Sequence, residues 1–494
     1  MGAEKRKEPV QRGMDGDSPA NWLLMANAML ANFLAGAAAR IFYVAMPTIA
    51  GELRTDMLWV SWAILSYQIS NIGLGLIFGR IGDIFGRRKV LAASYLVMTI
   101  GSLLCGLSAS ISYLVGFRVL QGAGAAMAQA VGRALAAEAM PEKKGGKAQG
   151  LMTTAFHFGF LLGPSVGGFI VDEIGWRWTF FCLIPFGALG ALLTISDKEF
   201  SRGEGRRSEV DYLGATLLVI ASTVLTLLLD RGTARLLDPS AKTIMTLVLL
   251  GSLAGFFITE SLVASPMVNL SLFKNKTFAI SSASLLIMSL NYSLSAFIFP
   301  FYLQEVLRLS PSFMGVLFMA APIFTVAFGP VSGYLADRMG LRLPTTLGVT
   351  MCIASIFLGW FFRTDSRWLL PGLALVLIGL ANGFFNPANS VGMLQAVPKR
   401  DMGLASGTLT LMFSLGTILG ISLGGFAMTF AFQAHTGISG AAPTPENPVA
   451  FVAALNDTFL AAAAIGFIPL VFSLMREAAA GHAGWGGTLG AKRN

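Results

Sequence analysis

Long apolar runs separated by short polar loops recur about fourteen times along the chain. They lie near 22–48, 57–79, 89–109, 112–138, 148–172, 176–195, 212–230, 242–260, 277–304, 312–335, 344–362, 368–394, 403–433 and 450–475. Each run is long enough to cross ~30 Å of hydrocarbon as a helix. The pattern predicts an all-α polytopic membrane protein of about fourteen transmembrane helices. Pro164, Pro185, Pro300, Pro322 and Pro387 fall inside runs, where spanning helices tolerate proline as a kink.

Basic residues give an independent check on that count. With the N-terminus taken as cytoplasmic, one alternating set of loops holds 24 of the 35 Lys and Arg and the other set 8; Arg40, Arg118 and Arg133 fall inside runs. A bias that alternates loop by loop fits the positive-inside pattern, and a missed span would scramble it. Both termini are therefore expected in the cytoplasm, with the chain in a cell membrane of the bacterial inner-membrane type. Trp22, Trp59, Trp176, Trp178 and Trp368 stand at run ends, where an aromatic belt is expected.

Composition then narrows the function classes. The 494 residues are 54% hydrophobic and 12% charged, with a mean hydropathy of +0.68; a soluble domain carries about 25% charged residues. The net charge of +9 does not imply nucleic-acid binding, because the basic residues lie in the short loops that orient helices. Cys105, Cys182 and Cys352 have neither pairing nor metal spacing and read as small core residues. No cofactor, metal cluster, nucleophile with its base, or phosphate loop is visible. An intramembrane enzyme and direct ATP drive are thus excluded. The expected partners are a small-molecule substrate, a proton or other coupling ion, and membrane lipids, with the chain acting as a monomer.

Three stretches carry specific chemistry. GRIGDIFGRR (79–88) recurs weakly as GYLADRMGLR (333–342), both in a loop leaving a span. Gly79 and Gly86 permit close helix approach, while Asp83 is placed to meet a helix end or an arginine such as Arg87; Asp337 and Arg338 belong to the second copy. In RVLQGAGAA (118–126), Arg118 lies within a span with Gln121 three residues on, followed by small residues that form a smooth packing face. In GFLLGPSVGG (159–168), Gly163, Pro164 and Gly167 allow bending and sliding. Two related copies after spans two and ten imply that two further spans intervene. The organisation expected is a tail at 1–21, a six-helix bundle at 22–196, a linker with two inserted helices at 197–275, a second bundle at 276–475 and a tail at 476–494.

These stretches resemble the three signature motifs of the major facilitator superfamily, and the span count resembles its fourteen-span drug:proton antiporter branch. The stretches 211–232 and 266–279 are similar to that branch as well. The resemblance implies two six-helix bundles rocking about a central site, plus two extra central helices. It also implies a gate at Asp83 and Arg87, coupling through Arg118, and a pivot at Gly163 and Pro164; Gly79, Gly86, Asp337, Arg338 and Gly167 are the further gating candidates. One position departs: Ala38 stands where the branch carries an aspartate in span one, and Arg40 follows it.

Arg40 is therefore the main clue to cargo. A charge in hydrocarbon costs roughly 2.5–3.5 kcal/mol on insertion scales and marks either a functional position or a structural pair, here with a broken helix end or with Asp457. None of the 26 acids lies deep in a span; Asp457, in the outer part of span fourteen, is the most buried candidate. Two arginines, Arg40 and Arg118, are expected to make a basic cavity that attracts carboxylate or phosphate. Gln68, Asn71, Gln121, Asn291, Asn382 and Asn386 are candidate substrate contacts, and His157 and Asp457 candidate proton carriers. The expected function is a secondary active transporter that exports small organic or amphipathic molecules by alternating access. Proton antiport is expected, with anionic cargo favoured. A lipid or lipid-precursor flippase and an organic-anion exchanger without proton coupling are the alternatives.

Overall fold

A computed structural model describes residues 21–140, 145–196, 212–229, 238–263, 270–398 and 402–476. All regular structure among them is helical: α1 (Trp22–Glu52), α2 (Met57–Phe85), α3 (Arg87–Gly106), α4 (Ile111–Ala139), α5 (Gly145–Ile174), then α6 (Trp178–Ile195), which breaks at Cys182 and Leu183. There follow α7 (Tyr212–Leu229), α8 (Pro239–Leu262), α9 (Lys276–Phe301), α10 (Pro311–Met339), α11 (Arg342–Gly359), α12 (Leu369–Gln395), α13 (Met402–Thr436) and α14 (Pro448–Leu474). By length and composition, eleven of these helices are apolar enough to cross a membrane, among the described residues.

Local chemistry sets the helix ends. Side chains of Asp56, Ser110, Asn275, Ser310 and Asn447 accept hydrogen bonds from first-turn backbone N–H groups, satisfying donors that a helix N-terminus leaves unpaired. The turn from α2 to α3 is a single residue, Gly86, at φ +103°; the turn from α10 to α11 uses Gly340 at φ +81°. These are equivalent glycines of the repeated loop motif, and the left-handed backbone explains the residue type. Pro300 is followed by a π-helical turn, Tyr302–Val306.

Helix pairing repeats along the chain. α1 packs on α5, and α2 and α3 pack on α4; likewise α9 packs on α13, and α10 and α11 on α12. Between the two sets, α5 meets α10, α2 meets α13 and α1 meets α9. α7 and α8 pair with each other, and α7 reaches α2 and α13. Small residues make these contacts close: a Cβ placed on Gly36 would lie 2.1 Å from the Phe156 carbonyl oxygen. In lipid, where burial of apolar surface adds no drive, such van der Waals contact is what holds helices together.

The buried core is distributed unevenly. One cluster joins both halves at the end that carries Ile49, Met57, Phe301 and Leu303. Towards the end that carries Gly86 it separates into a cluster of the first half, around Tyr95 and Val131, and a small one of the second, around Phe278 and Met393.

Two expectations need correction. Trp176 is not a belt residue: it is 1% exposed, and its indole Nε1 donates to Glu52 Oε2 at 2.8 Å. Glu52 also pairs with Arg177, so burial follows from fastening the α5–α6 turn to the end of α1. Asp457 is not the deepest acid either. It is half-exposed beside His435, a residue of the last turn of α13 whose Nε2 lies 2.8 Å from the Asp457 Oδ2. Glu260 in α8 is the buried acid among the described residues.

Candidate functional site

α1 carries Arg40 to the junction of the two halves. The residue is 6% exposed, and its guanidinium lies 4.1 Å from the Phe160 ring centre, 4.4 Å from Tyr43 and 4.7 Å from Tyr292. Phe160 belongs to α5 and Tyr292 to α9, so aromatic faces from both halves enclose one cation. Among the described residues, Arg40 has no hydrogen bond or ion pair. Cation–π contact contributes about 0.5–2 kcal/mol each, against five N–H donors left unused. The guanidinium lines a cleft that Pro164, Phe299, Phe318 and Pro322 help to wall. With side chains placed as here, the cleft has room for about two water molecules.

Arg118 sits elsewhere and differently. It is fully buried between α1, α2 and α4. Its Nε donates to Ala63 O at 2.9 Å, and its Nη1 to Ala38 O at 3.1 Å and Gln121 Oε1 at 2.6 Å. Gln121 Nε2 in turn donates to Ser102 Oγ at 2.8 Å. The expected pair of cavity arginines is thus divided: Arg40 lines the cleft, while Arg118 and Gln121 form a buried network inside the first half, with Arg118 Nη2 left without a partner. The carbonyl that receives Arg118 belongs to Ala38, the position where an aspartate is the resemblance's expectation.

The second half contributes amides. Asn291 of α9 is fully buried, and neither Nδ2 nor Oδ1 has a partner. With Asn382, Ser295 and Tyr292 it lines a small cavity of its own. Asn382 Nδ2 donates to Ile378 O at 3.0 Å and its Oδ1 accepts from Asn386 Nδ2 at 3.1 Å, so these two asparagines form a ladder along α12. Gln68 and Asn71 of α2 are half-buried, and Asn71 Nδ2 has no partner.

The motif residues hold the ends. Arg87 pairs with Glu138 across α3 and α4. Gly79 lies 3.8 Å, measured from a placed Cβ, from Ala130. Arg338 stacks on Tyr334 at 4.7 Å. Gly163 and Gly167 of α5 pack against Ile41 of α1, and Pro164 enters the cleft wall. The side chains of Asp83, His157 and Asp337 lie outside the described ones. Beyond α14, Arg476 inserts between α9 and α12 and donates to Asn389 Oδ1 at 2.5 Å; burial lowers its pKa to about 10. Among the described residues no group of three or more His, Cys, Asp or Glu could hold a metal ion.

Residue chemistry alone did not single out the aromatic enclosure. Tyr43, one turn after Arg40, was the available signal; Phe160 and Tyr292 come from distant stretches and converge only in the fold.

A helical bundle with repeated pairing, a repeated glycine turn and, between its halves, an aromatic-lined cleft holding one arginine describes a membrane transport protein. Residues 28–421 match the Major Facilitator Superfamily, and the chain belongs to that family; it is a multi-pass transport protein and not an enzyme. It is 26% identical over 460 residues to the riboflavin transporter RibZ of Clostridioides difficile, covering 92% of this chain and 97% of RibZ. It is 27% identical over 422 residues to the multidrug export protein EmrB of Haemophilus influenzae, covering 85% and 81% of the two chains. Among solved structures, a bacterial homologue of the lysosomal transporter Spinster matches with a TM-score of 0.65 at 15% identity, over 93% of this chain and 97% of the other. The nucleoside transporter NupG matches at 0.64 and 13%, over 92% and 100%.

Proposed function

We propose that the chain is a fourteen-span secondary transporter that exports small aromatic or amphipathic molecules, with a negative group on the cargo held by Arg40. The carrying observation is a buried arginine, Arg40, 6% exposed as a residue, whose guanidinium lines the cleft with aromatic faces around it and no polar partner among the described residues. A carboxylate or phosphate would satisfy it in a bidentate way, while the ring faces would stack on an aromatic cargo. Relatives named for transport of riboflavin or drugs fit a cargo of that size and flatness. In this reading the two six-helix bundles are α1–α6 and α9–α14, α7 and α8 are an insertion, and the Gly86 end faces the cytoplasm. The joint core at the opposite end supports a state closed to the outside.

Proton antiport is part of the proposal. With Ala38 in span one, the carriers are His157 and Asp457, and Arg118 couples by holding the backbone of α1. Proteoliposomes with an imposed pH gradient test it, reading efflux of an anionic aromatic dye. Efflux should rise with an inward proton gradient, and indifference to the gradient would refute antiport. Arg40→Ala should abolish transport, and Arg40→Lys should fail nearly as badly, because an ammonium cannot make the bidentate contact. Normal transport by both variants would make Arg40 structural.

A further inference from the structure

We infer that the site continues past Arg40 into the second half and there reads a lactam or imide edge, an N–H beside a carbonyl, through Asn291. The inference rests on the anion reading of Arg40 and adds the chemistry of the cargo's other end.

Asn291 offers one donor and one acceptor side by side, and both are unpaired in a fully buried side chain. Buried amides are paired in the great majority of cases, and an unpaired one calls for an explanation. The surrounding fold makes room for this amide: a Cβ on Gly466 of α14 would lie 3.3 Å from Asn291 Nδ2. The cavity it lines has space for about one water. That cavity and the Arg40 cleft share two wall residues, Tyr292 and Ile378.

Tyr292 is the link. Its ring is the face that the second half presents to Arg40. An anion that takes the guanidinium displaces that ring contact, and a turn of Tyr292 joins the two spaces. A rigid aromatic frame then reaches from Arg40 to Asn291, crossing the interface between the halves. Of edges that match an asparagine amide, a lactam or imide is complementary at both atoms in two parallel hydrogen bonds, whereas a lone carbonyl leaves Oδ1 unpaired and a single hydroxyl oxygen cannot align well with both atoms at once. Asn382, with both of its amide groups engaged in the α12 ladder, forms the far wall.

The test uses the full chain in lipid nanodiscs and three probes. The first is quinazoline-2,4-dione-7-carboxylate, the second its N1,N3-dimethyl derivative, which keeps the carbonyls and has no N–H, and the third naphthalene-2-carboxylate. Calorimetry should show the dione binding at least tenfold more tightly than the dimethyl probe, since a site built around a hydrogen bond rejects the analogue that lacks it. Asn291→Leu should bring that ratio to within about twofold. Arg40→Lys should weaken all three probes by a common factor and leave the ratio in place. If Asn291→Leu does not fold, Asn291→Ala reads the same ratio. A ratio near one in the unaltered chain, or a ratio that survives loss of Asn291, overturns the inference and assigns the cavity to a water only. In both cases Arg40-dependent binding of the naphthoate would leave the anion reading standing. No binding of any probe would overturn both.

Discussion

The two halves of the bundle share a backbone scaffold and differ in where they keep polar groups. In α5, Gly159, Gly163 and Gly167 lie against Phe33, Ala37 and Ile41 of α1; in α13, Gly416, Gly420 and Gly424 lie against Leu286, Leu290 and Leu294 of α9. Spacing and register match, so Asn291 is the counterpart of Ala38, and Ser293 of Arg40. Gly122 of α4 and Gly379 of α12 are equivalent too, each approaching a backbone carbonyl, Tyr67 O and Ala321 O. That places Leu375 opposite Arg118 and Ile378 opposite Gln121. Tight helix contact is common to both halves; along the cleft and the small cavity beside it, the first half offers the Arg40 cation and the second the unpaired Asn291 amide. On the proposed reading, a cargo between the halves meets a cation on one side and an amide on the other.

The largest expected effects break the shared scaffold. A Cβ on Gly159 would fall 2.1 Å from Phe33 O, and one on Gly416 would fall 2.3 Å from Leu286 O. Both obstacles are backbone, which cannot turn aside, so the cost exceeds the usual ~1–3 kcal/mol of overpacking. Gly159→Val and Gly416→Val should each abolish monodisperse protein on size-exclusion chromatography. Gly116→Ala and Gly251→Ala, with nothing within 4 Å of the new atom, should elute and melt as the unaltered chain does. A well-behaved Gly416→Val would mean that the second half does not depend on its ladder.

An intermediate effect comes from converting the polar interior of the first half into that of the second. Arg118→Leu leaves Gln121 Oε1 without its donor and opens space, at a cost on the order of 3 kcal/mol. Arg118→Leu with Gln121→Ile, which reproduces the Leu375 and Ile378 pair, removes the network as a unit and should recover at least about half of that loss. Thermal unfolding in detergent reads both. The double variant should still bind the cargo, because Arg40 is untouched, yet lose proton-driven efflux. Retained antiport would detach Arg118 from coupling.

Much of this scaffold is legible in the chain itself. Apolar run length gives the helices, and the repeated GRIGDIFGRR stretch marks turns whose glycines take positive φ. The α13 ladder was equally readable, as Gly416, Gly420, Gly424 and Gly425 against Gly159, Gly163, Gly167 and Gly168. Neither charge nor proline marks it, because α13 carries Ile421 where α5 carries Pro164. Which buried polar groups share a space is not legible. Arg40 and Arg118 look alike as intramembrane cations, and only helix rotation directs one into the cleft and the other into backbone carbonyls. The aromatic partners of Arg40 come from three helices, and no local pattern announces their convergence.

The smallest expected effect concerns how the halves touch at their two ends. Near Glu52, Gln304 Nε2 donates to Thr48 Oγ1 at 2.9 Å, and Ser312 N donates to Asp172 Oδ2 at 2.7 Å, both between halves. The second bond sets a carboxylate against the first turn of α10, where the helix dipole favours negative charge. Towards the other end, Arg133 Nη1 donates to Thr410 Oγ1 at 3.3 Å, a longer contact beneath a divided core. Loss of one such bond costs about 1 kcal/mol, roughly a fivefold change in population. Asp172→Ala should thus raise the fraction open at the Glu52 end about fivefold, and Thr410→Val should lower it by less. Spin-label distances across the halves at each end measure both shifts. Equal and small responses to the two variants would show that the apolar core, and not these hydrogen bonds, holds the Glu52 end shut.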